Sequence, residues 1–276
     1  ILTAAAAAVD GPVPQSVAEA LEGSEVTEWM AAMQEELSAN DRNKTWRRSS
    51  HVPHGRNVIG CRLVFAKKRA ADGAILLYKA RIVAQGFSQR PGVHYGAMFA
   101  PVMSADAMRF IFALAAEFDF EVHQMDVATA YLSAPRTDLL WMRVPPGPFG
   151  FVDCAALQLL KAIYGLKQAA NLWHFCLRSR LLSDGFRAVD ADCCVSVHGD
   201  VSPVVAAGGK GTYLVVGIHV DDLLAAGAPT SAITGFKASI SQRFAMKDFG
   251  RVHTMFGILV QQNKAGTIRL PQPHYL

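Results

Sequence analysis

The stretch from Tyr213 to Gly227, YLVVGIHVDDLLAAG, sets two carboxylates, Asp221 and Asp222, side by side between apolar runs. An unpaired buried charge costs several kcal/mol, and neighbouring carboxylates repel each other. A chain that buries these flanks must therefore bring the pair to a solvated turn or hold a cation against it. The flanks read as a strand–turn–strand with the pair in the turn. A second stretch, EVHQMDVATAYL, alternates as a strand up to Asp126, which places that acid where a strand ends. Three hard carboxylate oxygens make a poor zinc site and a reasonable magnesium site, with water and substrate phosphate completing the octahedron. Two such ions about 3.5–4 Å apart activate a hydroxyl and stabilise a leaving pyrophosphate.

The remaining segments interleave helices with antiparallel strands, an α+β pattern. Trp29, Met33 and Leu37 recur every four residues after Ser24, which predicts a packing helix capped by Ser24 or Thr27. Two apolar-rich runs around AADGA predict a hairpin, since Asp-Gly suits a tight turn. Its second strand carries Lys79, Arg81 and Val83 on one face and Tyr78, Ala80 and Ile82 on the other, with Lys67, Lys68 and Arg69 near the tip. Such a cationic face suits phosphate contact, although edge strands also carry Lys for solubility. SADAMRFIFALAAEFDF predicts a helix with Met108, Ile111, Phe112, Leu114 and Ala115 as its apolar stripe. VPPGPFG marks a loop. LQLLKAIYGLKQAANLWHFCLRSRLLSDGF reads as largely helical around a break at Gly165. SAITGFKASISQRF is a further helix, MKDFG a loop, and GRVHTMFGILVQQ with GTIRLPQ a last pair of strands.

Charge is distributed unevenly. Between Arg42 and Arg90 stand twelve Lys or Arg and one acid, Asp72, whereas the rest carries fifteen Lys or Arg against twenty-two acids. A basic block on an acidic body suggests a polyanion gripped by one part and processed by another. With 276 residues, 51% of them hydrophobic and 18% charged, the chain is long enough for a sizeable core and reads as folded. It has no run of about 18 apolar residues, so no membrane partner is expected. The opening ILTAAAAAVDGPVP lacks a basic leader and reads as continuing a longer chain rather than as a signal peptide. Five cysteines without a C-x-x-C pair read as plain thiols, with DADCC as the one arrangement that offers a zinc alternative.

The ordered stretches EWMAAMQEELSAND, NVIGCRLVFAKK, YKARIVAQGFSQRPGVHY, FAPV, HQMDVATAYL, IYGLKQAANLW, HVDDLLAAG and FAMKDFG resemble the reverse transcriptase of copia-type LTR retrotransposons. The resemblance spans nearly the whole chain. It implies a right-hand polymerase with fingers over 46–105 and 135–172, palm over 106–134 and 173–276, and a lead-in with its packing helix over 1–45. A thumb and an RNase H domain would follow beyond Leu276. It implies RNA-directed DNA polymerisation, with Asp126, Asp221 and Asp222 holding two magnesium ions (manganese being the alternative) and Lys247 as general acid for pyrophosphate. Lys79 and Arg81 would grip the dNTP, Tyr131 would screen its 2′ position, and Gln168 would contact nucleotide or template. Lys67, Lys68 and Arg69 would meet nucleic acid. The implied partners are an RNA or DNA template with its primer, dNTP, and the RNase H, integrase and protease domains of a Pol polyprotein; the implied setting is a cytoplasmic virus-like particle. His219 stands where the family usually has Tyr, Leu63 where it has Trp, and His94 where it has Asp. The competing readings are a degenerate fragment that binds nucleic acid without polymerising and a carboxylate–metal nuclease.

Overall fold

The computed structural model describes residues 11–52, 54–56, 58–70, 72–90, 92, 95–200, 211–263 and 266–271; His94 lies outside them. In chain order the elements begin with helices α1 (Val17–Glu22) and α2 (Val26–Arg42). Strands β1 (Trp46–Ser49), β2 (Val58–Ile59), β3 (Cys61–Arg69) and β4 (Ile75–Ala84) follow, then α3 (Ala105–Glu117), β5 (Glu121–Val127) and α4 (Ala130–Ser133). Next come β6 (Pro135–Met142), β7 (Ala156–Lys161), α5 (Ala169–Ser183), β8 (Arg187–Val189) and β9 (Asp192–Gly199). The chain continues with β10 (Tyr213–His219), β11 (Asp222–Ala228), α6 (Thr230–Arg243) and β12 (Met246–Arg251). It closes on the short hairpins β13 (Thr254–Met255) with β14 (Ile258–Leu259) and β15 (Gln261–Gln262) with β16 (Ile268–Arg269). The class is mixed, helices with mainly antiparallel sheets, in two compact units: residues 1–98 with 131–169, and 99–130 with 170–276.

The first unit holds the β3–β4 hairpin and a four-stranded sheet in the order β1-β7-β6-β2. The hairpin turn uses Asp72 and Gly73 as the sequence predicts. Asp72 Oδ1 accepts from the Ala74 N–H at 3.0 Å, and Gly73 sits at φ 86°, a conformation side chains disfavour. Helix α2 packs on β4, burying Trp29, Met33 and Leu37, and the Trp29 ring stands edge-on to Phe65 (5.3 Å) and Tyr78 (4.8 Å). Its N-cap is Glu25 rather than Ser24 or Thr27, and the Glu25 side chain makes no cap bond. It instead meets Lys67 Nζ at 2.7 Å and accepts from the Tyr78 hydroxyl at 2.7 Å. The Lys67 side chain is 1% exposed, so this is a buried ion pair that ties the lead-in helix to the hairpin.

The expectation of a helix from Leu157 onward is corrected. Ala156–Lys161 is strand β7, paired with β1 on one edge and β6 on the other, and only Ala169–Ser183 is helical. Its sequence, ALQLLK, sets Leu at adjacent positions on both faces, so it lacks the strict alternation that would separate it from a helix. On β6, Arg136 has Nε, Nη1 and Nη2 buried without a hydrogen-bond partner among the described residues.

The second unit is a six-stranded antiparallel sheet in the order β12-β5-β11-β10-β9-β8. Helix α3, capped by the Ser104 hydroxyl, lies over Gly217, where an added Cβ would meet Met103 Sδ at 2.2 Å. Helix α6 packs on β11 and β10, with Phe236 against Phe186. MKDFG is not a loop: Met246–Arg251 forms the edge strand β12, whose exposed polar residues give no apolar alternation to detect.

Two outcomes are expected in thermal or denaturant unfolding. Glu25→Gln leaves the Lys67 ammonium buried without its counter-charge and should cost about 3 kcal/mol; an unchanged midpoint would show that the pair does not anchor the hairpin. Arg136→Met removes a desolvated charge and should add about 2 kcal/mol; a lower midpoint would show that the guanidinium is satisfied.

Candidate active site

In the second unit, strand register sets the acids in one row. Asp126 on β5 stands directly opposite Asp222 on β11, and on its other side opposite Lys247 on β12. Asp222 in turn faces His219 across the β10–β11 hairpin. Directly opposed residues in antiparallel strands share a face, so Lys247, Asp126, Asp222 and His219 form one cross-strand row. Val220 and Asp221 make the two-residue turn between them.

That turn is strained and pinned. Val220 has φ 58°, a left-handed conformation that a β-branched residue adopts at a cost of about 1–3 kcal/mol. Its carbonyl accepts from the Trp173 indole N–H at 2.6 Å, and the Asp221 carbonyl accepts from the Val127 N–H at 2.9 Å. Trp173 on α5 thus fixes the acid pair from one side and the strand carrying Asp126 fixes it from the other.

Burial pushes the Asp222 carboxyl up, and the neighbouring Asp221 charge pushes the same way; a hydrogen bond from Gln124 (Nε2 to Oδ1, 3.3 Å) and the nearby His219 oppose this. A desolvated carboxylate beside another is a place where a cation lowers the energy. The donors are hard oxygens, the set that magnesium takes. Among the described residues, Asp192, Cys193 and Cys194 are the one trio of metal-ligand type gathered within 4.8 Å; Asp126, Asp221 and Asp222 stand further apart. The Asp192 carboxylate, however, is already committed to the N–H groups of Cys194 (2.9 Å) and Ser104 (3.1 Å), and burial pushes the Cys194 thiol up to about 12. The tip of the β13–β14 hairpin reaches the acid row: Phe256 lies 4.3 Å from the His219 ring and Met255 Sδ 3.9 Å from Gln124 Nε2.

In the first unit, Arg81 and Tyr131 come together through a residue that sequence reasoning missed, Tyr164. The Arg81 guanidinium lies 4.7 Å above the Tyr164 ring, and Tyr131 meets that ring edge-on at 5.0 Å. The Tyr164 carbonyl accepts from the Ala84 N–H at 2.8 Å, and Gly165 (φ 85°) follows because a Cβ there would strike the Ala84 carbonyl at 2.1 Å. Lys79 is half-buried on the same strand face as Arg81. Lys68 and Arg69 are exposed at the tip.

Two expected contact residues are turned inward. Lys67 is closed against Glu25, and Gln168, 3% exposed, accepts from Gln89 Nε2 at 3.0 Å while Gln89 Oε1 accepts from the Lys167 N–H at 2.9 Å. Neither presents its polar end to a ligand. Besides Tyr164, sequence reasoning passed over Trp173 and Gln124; the first lies in the IYGLKQAANLW stretch and the second two residues before Asp126, on the same strand face.

No helix among the described residues is long and apolar enough to cross a membrane. Residues 43–276 match the model of the reverse transcriptase (RNA-dependent DNA polymerase) family. The chain is 34% identical over 252 residues, 90% of its length, to the Retrovirus-related Pol polyprotein from transposon RE1 of Arabidopsis thaliana, and 35% identical over 251 residues to that from transposon RE2. To the Retrovirus-related Pol polyprotein from transposon TNT 1-94 of Nicotiana tabacum it is 30% identical over 269 residues. The matches span 16% of the two Arabidopsis relatives and 20% of the Nicotiana one, so the chain corresponds to a small part of each. With 85% of its residues inside the family match, carrying the opposed Asp126 and Asp222 and the pinned Asp221, this chain belongs to the reverse transcriptase family.

Proposed function

We propose that the chain performs RNA-directed DNA synthesis, adding dNTP to a primer 3′-hydroxyl, with the second unit as palm and the first as fingers. The observation that carries this reading is the acid row: Asp126 and Asp222 opposed in register, with Asp221 in a strained turn held at both ends. Asp126, Asp221 and Asp222 would hold two magnesium ions, which when bound supply charge neutralisation at the attacking and leaving oxygens. Lys247, beside Asp126 in the row, is the residue to give a proton to pyrophosphate. Arg81, on the Tyr164 ring with Lys79 on the same face, grips the triphosphate, because a guanidinium fork matches phosphate oxygens. Tyr131 screens the 2′ position of the incoming sugar. Lys68 and Arg69 meet the nucleic-acid backbone, and the β13–β14 tip approaches the primer end. The remaining Pol domains act around this one.

A second reading, a chain that binds nucleic acid without polymerising, has one observation in its favour: the buried, unbonded guanidinium of Arg136 works against a stable fold. Primer extension on an RNA template with dNTPs and magnesium separates the two. The chain should extend the primer, and Asp222→Asn should lower the rate more than about 100-fold. Template binding without extension by either protein would favour the second reading.

A further inference from the structure

Helix α2 reads in sequence as packing alone, yet one of its side chains reaches the strand proposed to hold the nucleotide. Glu36 Oε1 accepts from the Ile82 N–H at 3.0 Å and from Asn40 Nδ2 at 3.3 Å. Among the described residues β4 pairs with β3 alone, so Ile82 N–H is an outward-facing donor of an edge strand. An unmet donor of this kind is costly when covered, and a carboxylate is the strongest acceptor for it. Ile82 directly follows Arg81, and Lys79 lies two residues before Arg81 on the same face.

We propose that Glu36 is a positioning residue for the nucleotide grip: its carboxylate fixes the Lys79–Arg81 segment of β4 so that both cations are set for a nucleoside triphosphate. The inference rests on the reading of Lys79 and Arg81 as triphosphate ligands. The groups that face Glu36 are Asn40 from its own helix and Arg81 and Lys79 from β4. Burial pushes its carboxyl up to about 7; the Ile82 hydrogen bond opposes this most, then the Asn40 hydrogen bond, then the charges of Arg81 and Lys79. The backbone bond is therefore the leading interaction of the ionised form. Above about pH 7 the carboxylate holds the strand as a charged acceptor; below it the neutral acid holds it less firmly.

Equilibrium binding of a fluorescent deoxyadenosine triphosphate to the whole chain tests this without chemistry. Glu36→Ala, which removes the acceptor, should weaken binding about tenfold at pH 8, and Glu36→Gln, which keeps a neutral acceptor, about threefold. The ratio of wild-type to Glu36→Gln affinity should fall towards one between pH 8 and pH 6, a change that a packing role alone would not produce. If Glu36→Ala does not fold, as judged by its melting curve, the pH dependence of that ratio decides. Equal affinities at pH 8, or tighter binding by Glu36→Gln, would overturn the inference. Absence of nucleotide binding by the wild type would overturn it together with the nucleotide-binding reading. The expected binding pattern without primer extension would sink the polymerase reading and leave Glu36 in its role.

Discussion

The second unit depends on the register between β5 and β11. Side chains alternate along a strand with a period of two, so a slip of one residue would send Asp126 or Asp222 to the opposite face. Val122 and Met125 on β5 and Leu223 through Ala226 on β11 are fully buried on both faces of the sheet, and the two-residue turn after His219 with the bond from the Val127 N–H to the Asp221 carbonyl pins the end of the ladder in register. Packing energy from these apolar residues thus opposes the repulsion between the acids at the end of the ladder. The strained Val220 turn follows from the same constraint. Two residues must reverse the chain between His219 and Asp222, and the bonds from Trp173 and Val127 hold them in a conformation that Val would otherwise avoid.

In the first unit helix α2 has a comparable part. A two-stranded hairpin by itself is marginal in water, and α2 supplies what β3 and β4 lack. Trp29 packs against their apolar face, Glu25 neutralises Lys67, and Glu36 caps the outward Ile82 N–H. The family match begins at residue 43, after α2. The physical unit that presents Arg81 nonetheless includes this helix. The opposite face of the hairpin carries Lys79 and Arg81, the cations proposed to meet phosphate, so the anchoring of β4 and the affinity for an anion are linked through one strand.

Much of this was legible in the sequence where a local rule governed. Asp-Gly announced the β3–β4 turn, the apolar stripe from Met108 to Ala115 announced α3, and alternation placed Asp126 at the end of β5. Elements fixed by distant partners were misread. Strand β7 is rich in Leu and central in its sheet, which made it look helical, and the polar edge strand β12 looked like a loop. The acid row was only half visible. Sequence supplied the three carboxylates, but neither the opposition of Lys247 to Asp126 nor the Trp173 bond to Val220 has a local signature. Tyr164 was hidden for the same reason, because a ring between Arg81 and Tyr131 is a tertiary fact. Lys67, expected at nucleic acid, and Gln168, for which the resemblance implies nucleotide or template contact, have internal partners in Glu25 and Gln89, which no local signal announces.

The central claim is that Asp126, Asp221 and Asp222 together form a divalent-cation site. Iron(II) bound in place of magnesium, with ascorbate and peroxide, generates hydroxyl radicals that cut the backbone beside the ion. Two cuts are expected, near residue 126 and near residues 221–222, both suppressed by excess magnesium. Cutting confined to the Asp192–Cys194 segment, or no localised cutting, would contradict it.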